Sequence, residues 1–155
     1  MVALILFLVL VDQESKALVR NNLQPGTSRQ LVGPLLKITY KHDTSGFAWF
    51  IPALPGWAGT VFLSLRLLLV LAAWPVYAWY RRRRPLSRWA DAALIGLTAG
   101  LLGNLGEDLF LSATATTDFL QVFNSPCANL ADVYSYLGLA ALVIEAFRLK
   151  RRPRP

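Results

Sequence analysis

Residues 57–80, WAGTVFLSLRLLLVLAAWPVYAWY, carry a single charge, that of Arg66, in an otherwise apolar run. A helix needs roughly 20 mostly apolar residues to cross the hydrocarbon core of a bilayer. This run is long enough, so we predict that it forms a membrane-spanning helix. Pro75 predicts a kink in that helix, which neighbouring helices can accommodate.

Three further apolar runs extend this prediction to the rest of the chain. Residues 89–106, WADAALIGLTAGLLGNLG, carry one charge, and residues 133–144 and 1–11 carry none. The chain of 155 residues is 55% apolar with a mean hydropathy of +0.43, more apolar than soluble domains usually are. We therefore predict a single integral membrane domain over residues 1–155, an all-α membrane protein with four transmembrane helices at about 1–20, 57–80, 89–112 and 130–148.

The first apolar run, residues 1–11, is short. Its helix covers about 16 Å, roughly half of the hydrocarbon thickness. It has no basic start and no small-residue cleavage site, so we do not interpret it as a secretory signal peptide. We expect the natural protein to begin upstream of Met1; the alternative is that Asp12 lies deep in the membrane.

Basic residues determine the predicted orientation. Ten of the sixteen lysines and arginines flank membrane segments on one side, as cytoplasmic loops do. Both termini are therefore predicted to be cytoplasmic, and the segments 21–56 and 113–129 to lie outside. The ten residues are Arg81, Arg82, Arg83, Arg84, Arg88, Arg148, Lys150, Arg151, Arg152 and Arg154.

The remaining composition argues against several function classes. The basic residues are not interleaved with aromatic side chains in the way that is typical of nucleic-acid binding. A single cysteine, Cys127, excludes an intrachain disulfide and a multi-cysteine metal site, and the single His42 argues against a histidine-rich zinc site. We expect no metal and no other cofactor.

The first outer segment combines turn signals with partial alternation. Residues 21–33 contain Pro25 and Gly26 in a polar series, which is typical of a loop. Residues 34–51 alternate apolar and polar side chains in part and end in an aromatic cluster around Trp49. We predict a small extracytoplasmic β-hairpin or cradle there, lying at the membrane surface.

A stripe of small residues marks the third predicted helix. Gly96, Ala99, Gly100 and Gly103 recur at spacings of three and four. Such a face lets another helix approach closely.

Acidic residues gather at the predicted outer side. Asp91 and Glu145 belong near the inner side, and the other seven fall at the outer ends of helices or in the outer loops. Ionisable groups at membrane depth are costly and usually mark a pathway or a reaction site. The seven are Asp12, Glu14, Asp43, Glu107, Asp108, Asp118 and Asp132.

Two carboxylates close together suit aspartic-protease chemistry. One ionised carboxylate takes a proton from water, while the other stays protonated beside the like charge and polarises a carbonyl. Asp118 and Asp132 are the candidates, because the loop between the third and fourth helices can fold both over one spot. For Asp118 the alternative is a solvated loop acid. For Asp132 it is capping of the last helix, with Asn129 as N-cap, and the capping and catalytic roles are compatible.

The chain resembles the lipoprotein signal peptidases (signal peptidase II), four-helix membrane aspartic peptidases, in five motifs that occur in the family's order. They are DQESK at 12–16, similar to D-Q-x-[ST]-K; ITYKHDTSGFAWF at 38–50, similar to a segment that ends in N-x-G-A-A-F; GNLGE at 103–107, similar to G-N-x-x-D; DFL at 118–120, similar to V-D-F-[IL]; and NLAD at 129–132, which matches N-x-A-D.

This resemblance implies a role for each matching residue. Asp118 and Asp132 correspond to the catalytic pair, and the supporting or substrate-binding residues are Asn129, Asn104, Asp12, Glu107, Lys16 and Gly46. The implied substrates are bacterial prolipoproteins with a diacylglyceryl-modified cysteine, cut immediately before that cysteine at the outer face of the cytoplasmic membrane. The expected partners are these substrates and membrane lipids, with no nucleic acid, and we expect a monomer.

Three departures accompany the resemblance. Glu107 stands where the family has aspartate, Asp108 where it has arginine, and Thr44, or Asp43 with a shifted register, where it has asparagine. We hypothesise that Arg66, in the outer half of the second helix, replaces the missing arginine. The alternative function is a catalytically degenerate relative that binds lipidated peptides or acts as a membrane scaffold. A proton-coupled transporter is disfavoured, because the acids cluster at one face.

Two structural alternatives concern the supporting residues. For Asn104, a role in a hydrogen bond between helices is as well supported as a role in the site. The acids at positions 12, 107 and 108 are also consistent with an interfacial charge cluster that pairs with Lys16 or Arg20.

Overall fold

Four helices and three short strands make up the described part of this computed structural model, which comprises residues 1–43, 57–83, 87–110 and 116–151. The predicted helices all form, with ends that differ from the expected ones by a few residues. They are α1 (Val2–Asn22), α2 (Ala58–Arg83), α3 (Arg88–Phe110) and α4 (Leu130–Lys150).

Two of these helices are long and apolar enough to cross a membrane, within the described ranges. They are α2, over Leu63–Arg83, and α4, over Leu130–Lys150. In α1 the apolar run gives way to ionisable side chains from Asp12 onward, and α3 has charged residues at both ends. Four membrane-spanning helices therefore remain a prediction, and the described chain supports two spans on composition.

A three-stranded antiparallel sheet joins the helices at one end. Its strands are β1 (Ser28–Val32), β2 (Leu36–Asp43) and β3 (Thr116–Val122), in the spatial order β1-β2-β3. A hairpin is present as β1 and β2, but only β2 falls within the predicted range 34–51, and β3 extends the hairpin into a sheet. The glycine and aromatic positions of residues 44–51, including Gly46 and Trp49, lie outside the described residues.

The interpretation of residues 21–33 as a loop is wrong over Ser28–Val32, which form β1. All five residues of this strand are exposed, so the strand has no buried face and its sequence shows no alternation. Backbone pairing with β2 holds it, in a register that begins at Ser28 opposite Thr39. The turn between the strands contains Gly33 at a φ of +48°, in the left-handed region that favours glycine.

Close packing of α3 on α4 depends on the predicted stripe of small residues. A Cβ added to Gly96 would lie 2.7 Å from the Tyr134 carbonyl oxygen, and one added to Gly138 would lie 2.6 Å from the Leu97 nitrogen. Ala99, on the same face, is fully buried. The prediction that this face admits another helix is confirmed, and that helix is α4.

At the end of the helices opposite the sheet, polar side chains from different helices form a cluster. The Tyr77 hydroxyl donates to Asp91 and lies 3.6 Å from the Met1 sulfur, which joins the end of α2 to the starts of α3 and α1. Ser87 donates to Glu145 and joins the start of α3 to the end of α4. We call this the basic end, because its described residues include Arg81, Arg82, Arg83, Arg88, Arg148, Lys150 and Arg151. The opposite end, which carries the strands, is the sheet end.

Candidate active site

Asp118 lies in the middle of β3 and is buried, with 6% of its surface exposed. Next to it, Phe119 packs in a small core with Val19 and Tyr40. A solvated loop acid is therefore the wrong interpretation of Asp118. Past the turn that follows β3 the chain pairs back on the strand, since the Phe119 amide donates to the Ala128 carbonyl at 2.9 Å.

This return of the chain brings Asn129 against Asp118. The Asn129 side-chain amide donates to Asp118 Oδ1 at 2.8 Å, and Asn129 itself is 1% exposed. Asn129 is also the N-cap of α4, as the sequence predicts. The residue that begins the last helix is thus also a hydrogen-bond donor to the acid on the neighbouring strand.

Asp132 completes a capping box with the same asparagine. The Asp132 backbone N–H donates to Asn129 Oδ1 at 3.0 Å, and the Asn129 backbone N–H donates to Asp132 Oδ2 at 3.1 Å. The capping interpretation of Asp132 is confirmed. Both carboxylates are therefore held by one residue, Asn129, which is hydrogen-bonded to each of them.

Asn104 reaches the second aspartate from α3. Its side-chain amide donates to Asp132 Oδ1 at 2.9 Å, and its Oδ1 accepts from Lys16 Nζ at 3.0 Å. Asn104 does bond across helices, and one of its partners is a carboxylate of the candidate pair. It connects that pair to a group of buried ions on α1 and α3.

The buried ions form a network around Lys16, which is completely buried. Lys16 Nζ lies 2.8 Å from Asp12 Oδ2 and 3.1 Å from Glu107 Oε2. Glu107 also pairs with Arg20, and Asp12 Oδ1 accepts from the Ala131 backbone N–H at 2.8 Å. The predicted charge cluster with Lys16 and Arg20 is thus present for Asp12 and Glu107, while the side chain of Asp108 lies outside the described residues.

These contacts tie the start of α4 to α1 and α3. Asp12 binds the free backbone N–H of the first turn of α4, where a negative charge is favourable. Gly103 leaves the space for this contact, since a Cβ there would lie 2.9 Å from Asp12 Oδ2. The network therefore fixes the helix start that carries Asp132.

Seven of the eight site residues proposed from the sequence come together at the sheet end. They are Asp118, Asp132, Asn129, Asn104, Asp12, Glu107 and Lys16. The eighth, Gly46, lies outside the described residues. The hypothesis that Arg66 replaces the family's arginine stays a prediction.

Sequence reasoning gave no site role to three residues that contact this cluster. Gln13 donates to Asp12 at 3.0 Å and to the Gly103 carbonyl at 2.7 Å. Arg20 donates to Thr117 Oγ1 at 3.1 Å, and the Thr117 backbone N–H donates to Glu107 at 3.0 Å. Arg20 follows Asp12 and Lys16 at helical spacings of four, a signal that places the three on one face of α1.

The fold is that of a class of bacterial membrane enzymes. A bacterial membrane enzyme solved by the in meso method at 2.3 Å resolution aligns with a TM-score of 0.80 at 20% identity, covering 99% of this chain and 92% of its own. A second bacterial membrane enzyme, solved by the same method at 1.9 Å, gives a TM-score of 0.77 at 23% identity, covering 94% and 90%.

The sequence comparisons narrow this class to one family. The model of the family described as signal peptidase (SPase) II matches residues 4–148. The lipoprotein signal peptidase of Synechococcus sp. is 36% identical over 145 residues, covering 91% of this chain and 89% of the relative. That of Moorella thermoacetica is 32% identical over 139 residues, covering 90% and 87%. The chain belongs to the signal peptidase II family, a family of proteases in lipoprotein processing.

Proposed function

We propose that this protein is a membrane aspartic endopeptidase that removes signal peptides from diacylglyceryl-modified prolipoproteins and cuts immediately before the lipidated cysteine. Asp118 and Asp132 are its catalytic residues. The observation that supports this most is that Asn129 hydrogen-bonds to both carboxylates, at 2.8 Å to Asp118 and at 3.1 Å to Asp132. Membership of a protease family supports the reaction class.

The proposed reaction uses the two carboxyls in complementary states. The ionised aspartate takes a proton from water, whose oxygen attacks the scissile carbonyl carbon. The protonated aspartate donates its proton to the carbonyl oxygen, and a neutral tetrahedral intermediate forms. This intermediate collapses when the carbonyl re-forms and a proton moves to the leaving amine, so the peptide C–N bond breaks.

In this proposal the asparagines are positioning residues. Side-chain amides donate hydrogen bonds to a carboxylate without adding a positive charge to it. Asn129 and Asn104 therefore orient the aspartates and leave the exchange of protons to the water and the substrate. Lys16 acts one step further away, because it holds Asn104 Oδ1 at 3.0 Å.

The proposed setting is the outer face of the bacterial cytoplasmic membrane, with both termini in the cytoplasm. The basic end supports this orientation, because arginine and lysine are enriched on the cytoplasmic side of membrane proteins. Exposed apolar side chains near the start of α4, such as Tyr136 at 65% and Leu137 at 64%, suit contact with lipid. The acyl chains of the substrate would lie along such a surface, with the peptide at the aspartates.

Cleavage of a purified diacylglyceryl-modified prolipoprotein, followed by gel shift, tests the assignment. We expect Asp118→Asn and Asp132→Asn each to lower turnover by at least about a thousandfold, as removal of a central catalytic group does. Both variants should insert and unfold like the parent protein. Glu14→Gln, at an exposed position on α1, is the matched control and should retain turnover.

Two results would contradict the proposal. Turnover that survives in either aspartate variant, in a folded protein, excludes that residue from the catalytic pair. A parent protein that binds the lipidated substrate and never cleaves it is instead the degenerate binding relative. That alternative rests on the charge reversal at Asp108.

A further inference from the structure

An apolar cavity of about 400 Å³ opens between α2, α3 and α4 at the basic end. Its volume falls within the roughly 300–1,000 Å³ of typical small-molecule sites. It lies at the opposite end of the helices from Asp118 and Asp132, so it is separate from the candidate active site. Its wall includes Val76, Trp79, Leu94, Leu97, Leu142 and Ala146.

A second cavity, of about 360 Å³, adjoins the first and carries a positive charge. It is lined by Trp79, Tyr80, Arg83 and Leu149, of which three also line the apolar cavity. The Arg83 guanidinium lies 4.6 Å from the centre of the Trp79 ring, a cation–π contact that holds the charge at this position. Together the two cavities form a space that is apolar at one end and cationic at the other.

The one carboxylate in the cavity walls is occupied by other partners. Glu145 accepts hydrogen bonds from Tyr80 and Ser87, and it pairs with Arg148 at 3.4 Å. Arg83 differs from it, since no carboxylate in the described ranges pairs with this arginine. The charge of Arg83 is therefore available to an anionic ligand.

We propose that these two cavities are a binding site for an anionic phospholipid, with an acyl chain in the apolar cavity and the phosphate at Arg83. The neighbouring Arg81 and Arg82 extend the positive field around the headgroup. A zwitterionic phospholipid carries the same phosphate, but its ammonium group would meet these arginines, so an anionic headgroup is favoured. This site depends only on the basic end and is independent of the aspartates.

Native mass spectrometry of the full chain in detergent tests this site with phosphatidylglycerol and phosphatidylcholine added at equal concentrations. We expect tighter retention of phosphatidylglycerol. Arg83→Gln should lower its binding about fivefold, the effect of one basic residue at an anionic lipid surface, and should lower phosphatidylcholine binding less. Arg151→Gln, which removes an exposed charge at the same end outside both cavities, should have a smaller effect.

A second pair of variants tests whether lipid occupies the apolar cavity, because a larger side chain in its wall would fill part of its volume. Ala146 lines it and Ala140 does not, although both are exposed positions on α4. Ala146→Phe should weaken retention of both lipids, whereas Ala140→Phe should leave it unchanged, with matching thermal unfolding as proof that both variants fold. Equal retention of the two lipids by the parent protein, equal losses for the two arginine variants, or equal retention by the two phenylalanine variants would each overturn the proposal.

Discussion

Two groups of acids at the sheet end are satisfied in different ways. Asp12 and Glu107 face the ammonium group of Lys16 at 2.8 and 3.1 Å. Asp132 instead accepts from neutral N–H groups, and no lysine or arginine in the described chain pairs with it. Asp118 accepts from the Asn129 side-chain amide. The first group, which with Lys16 and Arg20 we call the ionic group, is neutralised by cations, whereas Asp132 receives N–H donors.

This difference fits the proposed roles, in which the ionic group is a scaffold and the aspartate pair transfers protons. A buried ion pair adds little net stability, but removing one partner is costly because the other charge stays buried. Amide donors satisfy a carboxylate without cancelling its charge, so a carboxylate held this way remains able to exchange a proton. Asn104 joins the groups, since it accepts from Lys16 and donates to Asp132.

The largest effect is expected from breaking the ionic group at its centre. Lys16→Met leaves Asp12 and Glu107 buried without their shared cation, and we expect a loss of about 3–5 kcal/mol in the free energy of unfolding. Denaturant titration in detergent measures this loss. Lys150→Met, at an exposed position, should change it by less than about 0.5 kcal/mol.

A compensating change sharpens this result. Adding Asp12→Asn to Lys16→Met removes the carboxylate whose cationic partner was Lys16, whereas Glu107 keeps Arg20, so it should recover part of the lost free energy. If Lys16→Met alone costs no more than Lys150→Met, the ionic group is not the scaffold that its contacts indicate.

The next effect is expected at the residue shared by the two aspartates. Asn129→Ser keeps an N-cap acceptor for α4 but loses the amide donor to Asp118. A hydrogen bond to a charged group is worth about 1.5–3 kcal/mol, so kcat should fall roughly ten- to hundredfold. Single-turnover cleavage of the lipidated prolipoprotein measures this step.

Asn129→Ala distinguishes positioning from capping. It loses both the donor and the cap, so its kcat should match that of Asn129→Ser, while its free energy of unfolding should be lower by about 1 kcal/mol. Equal kcat values for the serine variant and the parent protein would show that the bond to Asp118 plays no part in catalysis.

The two groups also differ in how far the sequence could predict them. The cap at Asn129 and Asp132 is a local pattern, and four positions of chain sufficed to predict it. The pairing of Lys16 with Glu107 joins residues 91 positions apart, so spacing carried no signal of it. The gathering of acids at the outer side drew attention to Glu107, and pairing with Lys16 or Arg20 could be offered only as an alternative. β1 was missed for a related reason: its exposed residues contact water, and only its pairing with β2 defines it.

Two glycines one turn apart on α3 test how closely the helices pack at the ionic group, because an added Cβ would meet close neighbours at one of them and not at the other. A Cβ at Gly103 would lie 2.8 Å from the Ala131 Cβ and 2.9 Å from Asp12 Oδ2, whereas one at Gly106 would lie 3.6 Å from Gln13. Overpacking lowers the free energy of unfolding by about 1–3 kcal/mol, whereas replacing glycine by alanine raises it by up to about 1 kcal/mol through higher helix propensity. Gly103→Ala should therefore lower the free energy of unfolding by about 1–2 kcal/mol.

Gly106→Ala is the matched control for that substitution, because ordinary contact leaves only the propensity gain. It should be neutral or stabilising by up to about 1 kcal/mol in the same titration. Two variants with the same free energy of unfolding would mean that α1 and α4 move apart without cost at Gly103.

The smallest effect is expected from the outermost cation of the ionic group. Arg20 pairs with Glu107 and Thr117 but is 26% exposed along its side chain, so its contacts compete with water. Arg20→Met should cost about 1 kcal/mol in the free energy of unfolding. Arg29→Met, on exposed β1, should cost less than about 0.5 kcal/mol.

A double-mutant cycle between Lys16→Met and Arg20→Met decides whether the two cations serve Glu107 together. Both contact this carboxylate, so each should partly compensate for loss of the other, and the double variant should lose more than the sum of the single losses. Strict additivity would mean that Lys16 acts through Asp12 and Asn104 alone. The ionic group would then consist of two independent ion pairs, Lys16 with Asp12 and Arg20 with Glu107. Arg20 would then mainly stabilise β3, through its hydrogen bond to Thr117 next to Asp118.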